Sequence, residues 1–223
     1  MYLIGLNRDA ETGAAHMAIL EKGLKGLKRH YRLAETVHWP PDTPEATVGA
    51  ALVGQYADPR WTVRRKVFSQ DRRPAKNVRT PPLIAARFGL SEAGRSGGPE
   101  IHRPDTRSID ALRARNLPLE GVAVTREAAW RREDFGELRR GNNYFVPGPD
   151  LETVLRRVFS QGRLTLDPAC PMADRLAPGP PETFSYPIPN PTGESSEGDL
   201  WLAVSLPVWF SETVRKIARY GDA

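Results

Sequence analysis

Residues 197–209, EGDLWLAVSLPVW, decide how this chain is read. A loop acid, Asp199, is followed at once by an apolar run too long for a strand and interrupted by Pro207. Such a run predicts a buried helix from about Leu200 to Tyr220, kinked at Pro207, where a backbone donor is missing. Asp199 then stands at the helix N-terminus, beside the end of a sheet, where the helix dipole favours negative charge.

The sheet is predicted from the other end of the chain. Tyr2–Leu6 is apolar and β-prone, Ala14–Leu20 follows a polar turn, and about Tyr31–Trp39 follows the basic turn GLKGLKRH, so the first three strands form an antiparallel meander. Thr43 as N-cap and Pro44 at the first helical position open a helix that runs to about Tyr56. Lys66–Ser69 reads as a short strand, about Pro82–Phe88 as a helix, Ser108–Arg115 as a helix and Gly121–Thr125 as a strand. Tyr144–Val146 is a short apolar stretch before an amphipathic helix, Asp150–Ser160, and strands at Arg163–Leu166 and Thr183–Ile188. The glycine-rich run 91–104 reads as a mobile loop, and the charged run Trp130–Asn143 has no assignment. Strands first in a meander, then alternating with helices, give an α/β fold: an RNase H-like mixed sheet flanked by helices.

Composition narrows the function. At 223 residues with 39% hydrophobic and 26% charged side chains, the chain suits one domain with a real core, and no clear linker divides it. Its mean hydropathy of −0.49 and the lack of a run of ~18 apolar residues argue against a membrane span. MYLIGLNRDAETG has no basic leader or cleavage site, so it reads as a first strand. The single cysteine, Cys170, excludes an intrachain disulfide or a cysteine-rich zinc site and fits a reducing compartment. His16, His30, His38 and His102 have no HExxH-type spacing.

Charge is unevenly placed. Residues 60–79 carry eight basic side chains (Arg60, Arg64, Arg65, Lys66, Arg72, Arg73, Lys76 and Arg79) against Asp71 alone, leaving 24 basic and 26 acidic residues elsewhere. The net charge of +5 therefore comes from one segment, which points to a local polyanion contact.

Five segments, in order, carry a family resemblance: YLIGLN, WPPDTPEATVGAALVGQY, LEGVAVT, FVPGPDLETVLRRVFSQGRLTLDP and EGDLWLAVSLPVW. Together they resemble the nuclease domain of the large terminase subunit of tailed phages, which cuts concatemeric DNA during head filling. The resemblance implies a two-metal site with magnesium or manganese, double-stranded DNA as partner and the cytoplasm of a phage or prophage host. It puts a catalytic role on Asp199, with Asp9 and Asp71 as the neighbouring acids that would substitute at the other two positions, and Asp199 and Asp9 as metal ligands. The same alignment departs from the family where the chemistry is densest. Its first-strand acid falls at Asn7, its second near Ser69 or Gln70, and the residue before Asp199 is Gly198 instead of an acid. Gly148 stands where a basic residue follows the Val-Pro pair.

Magnesium favours anionic oxygens in near-octahedral geometry. An amide at position 7 keeps an oxygen and gives up a charge worth ~4 kcal/mol to a cation 4 Å away at an effective dielectric of ~20. The sequence thus predicts a nuclease-like shape with a depleted carboxylate site. Because GxxxxGK[ST] is absent from these residues, the resemblance also implies a separate packaging ATPase or portal as partner. Three functions stay open: a DNA-binding pseudoenzyme gripping phosphates through Arg64, Arg65, Lys66, Arg72, Arg73, Lys76 and Arg79; an active two-metal endonuclease; and a non-catalytic interaction protein. Trp130, next to Arg131 and Arg132, is a candidate base-stacking residue or the cap of a core edge.

Overall fold

In the computed structural model, Tyr2–Arg8 (β1), Ala15–Lys25 (β2) and Lys28–Trp39 (β3) form the expected antiparallel meander. The structure describes residues 1–9, 13–67, 76–88, 106–125, 128–133, 142–177, 180 and 197–214. The loop expected at 91–104 and the strand expected at Thr183–Ile188 lie outside these residues. After the meander come α1 (Glu45–Ala57), a 3-10 turn (Pro59–Trp61), β4 (Val63–Val67), β5 (Lys76–Thr80) and β6 (Leu83–Phe88). Next are α2 (Thr106–Ala114), β7 (Leu119–Thr125), β8 (Arg131–Glu133), β9 (Asn143–Pro147), α3 (Gly148–Ser160), β10 (Leu164–Leu166), α4 (Ala173–Leu176) and α5 (Glu197–Glu212).

Eight strands form one mixed sheet in the order β10-β3-β2-β1-β6-β7-β9-β8. β1, β6, β7 and β9 run parallel, while β8 closes the edge antiparallel to β9. This is the RNase H-like layout of a three-strand meander continued by parallel strands.

The expected helix at Pro82–Phe88 is corrected: LIAARF is strand β6, in register with β1 from Leu3↔Leu83 to Arg8↔Phe88. A parallel strand covered on both faces shows a continuous apolar run, with no period to separate it from a buried helix. The described part of the basic segment also differs from expectation: Val63–Val67 and Lys76–Thr80 pair as a two-stranded antiparallel ribbon, β4–β5, separate from the main sheet. Thr43 does not cap α1; its hydroxyl donates to the Pro40 carbonyl at 2.6 Å, and Pro44 occupies the capping position.

Each face of the sheet has its own core. Ile4, Leu6, Met17, Ile19, Ile84, Ala86 and Leu119 pack with Val48 and Leu52 of α1 and Ile109 and Leu112 of α2. On the other face Leu3, Ala18, Leu20, Tyr31, Leu33, Val122 and Val124 pack with α3 and α5. Every residue from Leu200 to Glu212 is buried, which explains why this helix is apolar all round.

Two details hold α5 in place. Pro207 has no N–H to give the Ala203 carbonyl, and that carbonyl lies over Gly5 of β1, where an added Cβ would come within 1.9 Å of it. At the far end Glu212, 3% exposed, accepts from Tyr31 Oη at 2.6 Å and Arg163 Nη2 at 2.7 Å. Arg29 adds a bond to the Ser211 carbonyl and approaches Glu212 at 3.9 Å. Burial alone would raise the Glu212 carboxyl, but the hydrogen bonds from Tyr31 and Arg163 and the charges of Arg163 and Arg29 hold it below its ordinary range.

Candidate functional site

The opening strand and the start of the closing helix meet. Asn7, near the C-terminal end of β1 and 1% exposed, donates through Nδ2 to Asp199 Oδ1 at 3.2 Å and to the Asp199 carbonyl at 3.3 Å. On the other side its Oδ1 accepts from Arg87 Nη1 at 2.8 Å. Arg87 is itself 8% exposed and lies directly beside Asn7 in the parallel β1–β6 register. The three residues form one hydrogen-bonded chain, running from a cation through an amide to an anion.

This arrangement fixes the amide. Its oxygen faces the guanidinium and its nitrogen faces the carboxylate, so each end meets the charge that suits it. Bonds of this kind, to charged partners, are worth ~1.5–3 kcal/mol each. An aspartate at position 7 would accept from Arg87 equally well, but would set two carboxylates against each other at the Asp199 side.

His16 faces Asn7 across the β1–β2 pairing and is 1% exposed. Its ring lies 4.7 Å from that of His38. Burial first, then the charges of His38 and Arg175, lower its pKa to about 3, so it stays neutral over the ordinary working range.

The remaining expected residues are spread out. Asp9 lies just past β1 in the turn to β2, where its backbone N–H bonds the Ala14 carbonyl at 2.8 Å and its carbonyl accepts from Gly13 at 3.1 Å. Gly198 is in the first turn of α5, next to Asp199, and Gly148 opens α3. Arg64, Arg65 and Lys66 belong to β4, and Lys76 and Arg79 to β5, with Arg64 opposite Arg79. Ser69, Gln70, Asp71, Arg72 and Arg73 lie outside the described residues.

Where the basic ribbon is rooted is informative. β5 leads through Pro81 and Pro82 into the N-terminal end of β6, and Trp61, just before β4, packs edge-on against Tyr2 at 5.2 Å. Asn7 and Arg87 lie at the opposite, C-terminal ends of β1 and β6. The ribbon therefore leaves the sheet at the end away from the Asn7–Asp199 contact.

Arg87 is the residue missed by sequence reasoning. The available signal was a charged side chain inside the buried run LIAARF. Trp130 is settled as a core cap, since its ring packs against Trp209 at 5.7 Å and Tyr144 at 6.4 Å, while Arg131 stacks on Phe145 at 3.7 Å.

A two-metal centre, the group the terminase resemblance implies, does not fit the donors that the described residues bring together. Among the described residues no cluster of three or more His, Cys, Asp or Glu side chains is placed to hold a metal. The first-strand position offers an amide oxygen already bonded to a guanidinium. A divalent cation ~4 Å from that guanidinium would meet repulsion of ~8 kcal/mol at an effective dielectric of ~20.

No protein-family model matches the chain, and comparison with curated proteins returns no match. Among solved structures the chain is similar to RuvC of Thermus thermophilus, with a TM-score of 0.44 and 11% identity over 97% of this chain and 96% of that one. That similarity assigns no residue a role.

Proposed function

We propose that this chain is a DNA-binding module on an RNase H-like fold, whose nuclease centre is replaced by the Arg87–Asn7–Asp199 chain. The observation that carries the reading is the 2.8 Å bond from the buried Arg87 guanidinium to Asn7 Oδ1, which sets a fixed positive charge beside the first-strand ligand position. A protein cation there competes with a metal, and the neutral amide between the charges suits a structural role better than a catalytic one.

The case for DNA rests on the β4–β5 ribbon. Its two strands carry Arg64, Arg65, Lys66, Lys76 and Arg79, and basic residues concentrated in one segment are the electrostatic footprint of a polyanion partner. The resemblance to terminase nuclease domains supports a place in DNA packaging, beside a separate ATPase or portal, in the cytoplasm of a phage or prophage host.

The test has two arms. Purified protein should bind duplex DNA with an affinity that falls steeply with salt, and should leave plasmid intact with Mg²⁺ or Mn²⁺; reversing Arg72, Arg73 and Lys76 to Glu should collapse the binding. In the second arm, Mn²⁺ should raise the melting temperature of the double variant Asn7→Asp/Arg87→Ala and leave the parent unchanged. Plasmid nicking by the parent that disappears in Asp199→Ala would overturn the reading in favour of a working nuclease.

A further inference from the structure

Strands β2 and β3 outrun the sheet. β1 pairs with β2 only as far as Tyr2↔Glu21, with two further bonds between Met1 and Lys22, from Lys22 N–H to the Met1 carbonyl and from the Met1 amino group to the Lys22 carbonyl, and β10 joins β3 only from Tyr31 onward. From Gly23 to His30 the two strands pair with each other alone, through Gly23↔His30, Leu24↔Arg29 and Lys25↔Lys28. The result is a two-stranded arm. Its base is fixed to α5 by Arg29, which bonds the Ser211 carbonyl and neighbours Glu212.

The arm ends in an unusual residue. Gly26 takes the first corner of the two-residue turn at φ 61, and Leu27 takes the second without a positive φ, the pattern of a type II′ turn. Turn corners are ordinarily polar or glycine. Here the corner is leucine, 102% exposed, and Leu24 nearby is 74% exposed. These two are the exposed large apolar side chains among the described residues. Lys25 and Lys28, also exposed, flank the tip from opposite strands, and no acid occurs between Glu21 and Glu35.

The arm also leaves the sheet at the Tyr2 end, the end at which the β4–β5 ribbon is rooted through Trp61 and Leu83. Two basic ribbons thus share one side of the molecule. We infer that the β2–β3 arm is a second DNA contact, in which Lys25 and Lys28 grip phosphates on both sides of a groove and Leu27 wedges against the base stack.

The chemistry favours duplex DNA over other acidic partners. Paired strand residues sit ~4.5–5.5 Å apart at Cα, so two lysines on long stems can straddle a minor groove ~6 Å wide. A single apolar wedge between flanking cations is the device by which proteins unstack a base step and bend DNA. A lipid surface would offer one leucine at the tip little depth, whereas a base step takes one side chain. The inference rests on the DNA-binding reading above, and the experiment separates the two.

A 30-base-pair duplex with 2-aminopurine at its centre and dyes at its ends reports affinity, unstacking and bending together. Each phosphate contact contributes ~0.9 to the slope of log K against log salt. Lys25→Gln/Lys28→Gln should therefore lower that slope by ~2, while Leu27→Ser should keep the slope and lose the 2-aminopurine and bending signals. Both variants change exposed residues, and thermal melts matching the parent would establish that they fold. If the parent binds DNA with β4–β5 dependence but neither arm variant changes its slope or bend, the arm inference falls and the DNA-binding reading stands. If the parent binds no DNA, both fall. Capture of the parent but not Leu27→Ser by phosphatidylglycerol vesicles, with unchanged DNA behaviour, would overturn the inference in favour of a membrane contact.

Discussion

Substituting Gly5 with alanine tests the packing that brings Asp199 to Asn7. The new Cβ would lie 1.9 Å from the Ala203 carbonyl oxygen and 2.6 and 2.9 Å from Cδ and Cγ of Pro207. Contacts below about 3 Å do not occur, so α5 must withdraw from β1 by roughly 1 Å. The obstacles are a backbone oxygen and a proline ring, neither of which can rotate aside. Overpacking ordinarily costs ~1–3 kcal/mol, and rigid neighbours place this case at ~3 kcal/mol. In a chain of this size each kcal/mol lowers the melting temperature by ~2–4 °C, so a fall of ~6–12 °C is expected. Trp201 and Trp209, on the same helix and at most 1% exposed, supply the fluorescence signal for urea unfolding. A Gly5→Ala protein within 1 kcal/mol of the parent, at an unchanged denaturant slope, would refute the account of how α5 is seated.

Two further outcomes concern acid. His16 has a folded pKa of about 3 against an ordinary 6.5, so the unfolded chain binds the extra proton between those values and stability falls as pH drops through that window. At most ~1.4 kcal/mol is lost per pH unit; His16→Gln should flatten the stability profile between pH 6.5 and 4.5 in urea titrations. Glu212 behaves as a lowered carboxylate: its contribution is present above its ordinary 4.5 and fades as pH falls through the lower folded value. Glu212→Gln should remove that acid limb and cost ~3–5 kcal/mol at neutral pH, because Arg163, 9% exposed at its side chain, keeps its buried charge without the carboxylate.

Where local pattern and tertiary environment agree, the fold was legible. The meander alternates or turns at glycine, α3 carries Leu151, Val154, Leu155 and Val158 at helical spacing, and α5 is too long and apolar to be anything but a buried helix. β6 was not legible, because a strand buried on both faces looks the same as a short buried helix. Nor was the β4–β5 pairing, since nothing in a run of lysines and arginines marks a ladder. At the site, the sequence located Asp199 and the neutral substitution at position 7. It could not reveal that Arg87 stands beside that amide, since strand register alone joins two residues 80 positions apart.

The amide bridging Arg87 and Asp199 also couples two positions in heredity. Restoring an acid at 7 alone places like charges together at Asp199, and removing the guanidinium alone strands a buried oxygen without its donor. A lineage carrying this chain would therefore cross between these two chemistries by altering residues 7 and 87 together, and the altered site would need a bound cation in place of the guanidinium to hold its two carboxylates side by side.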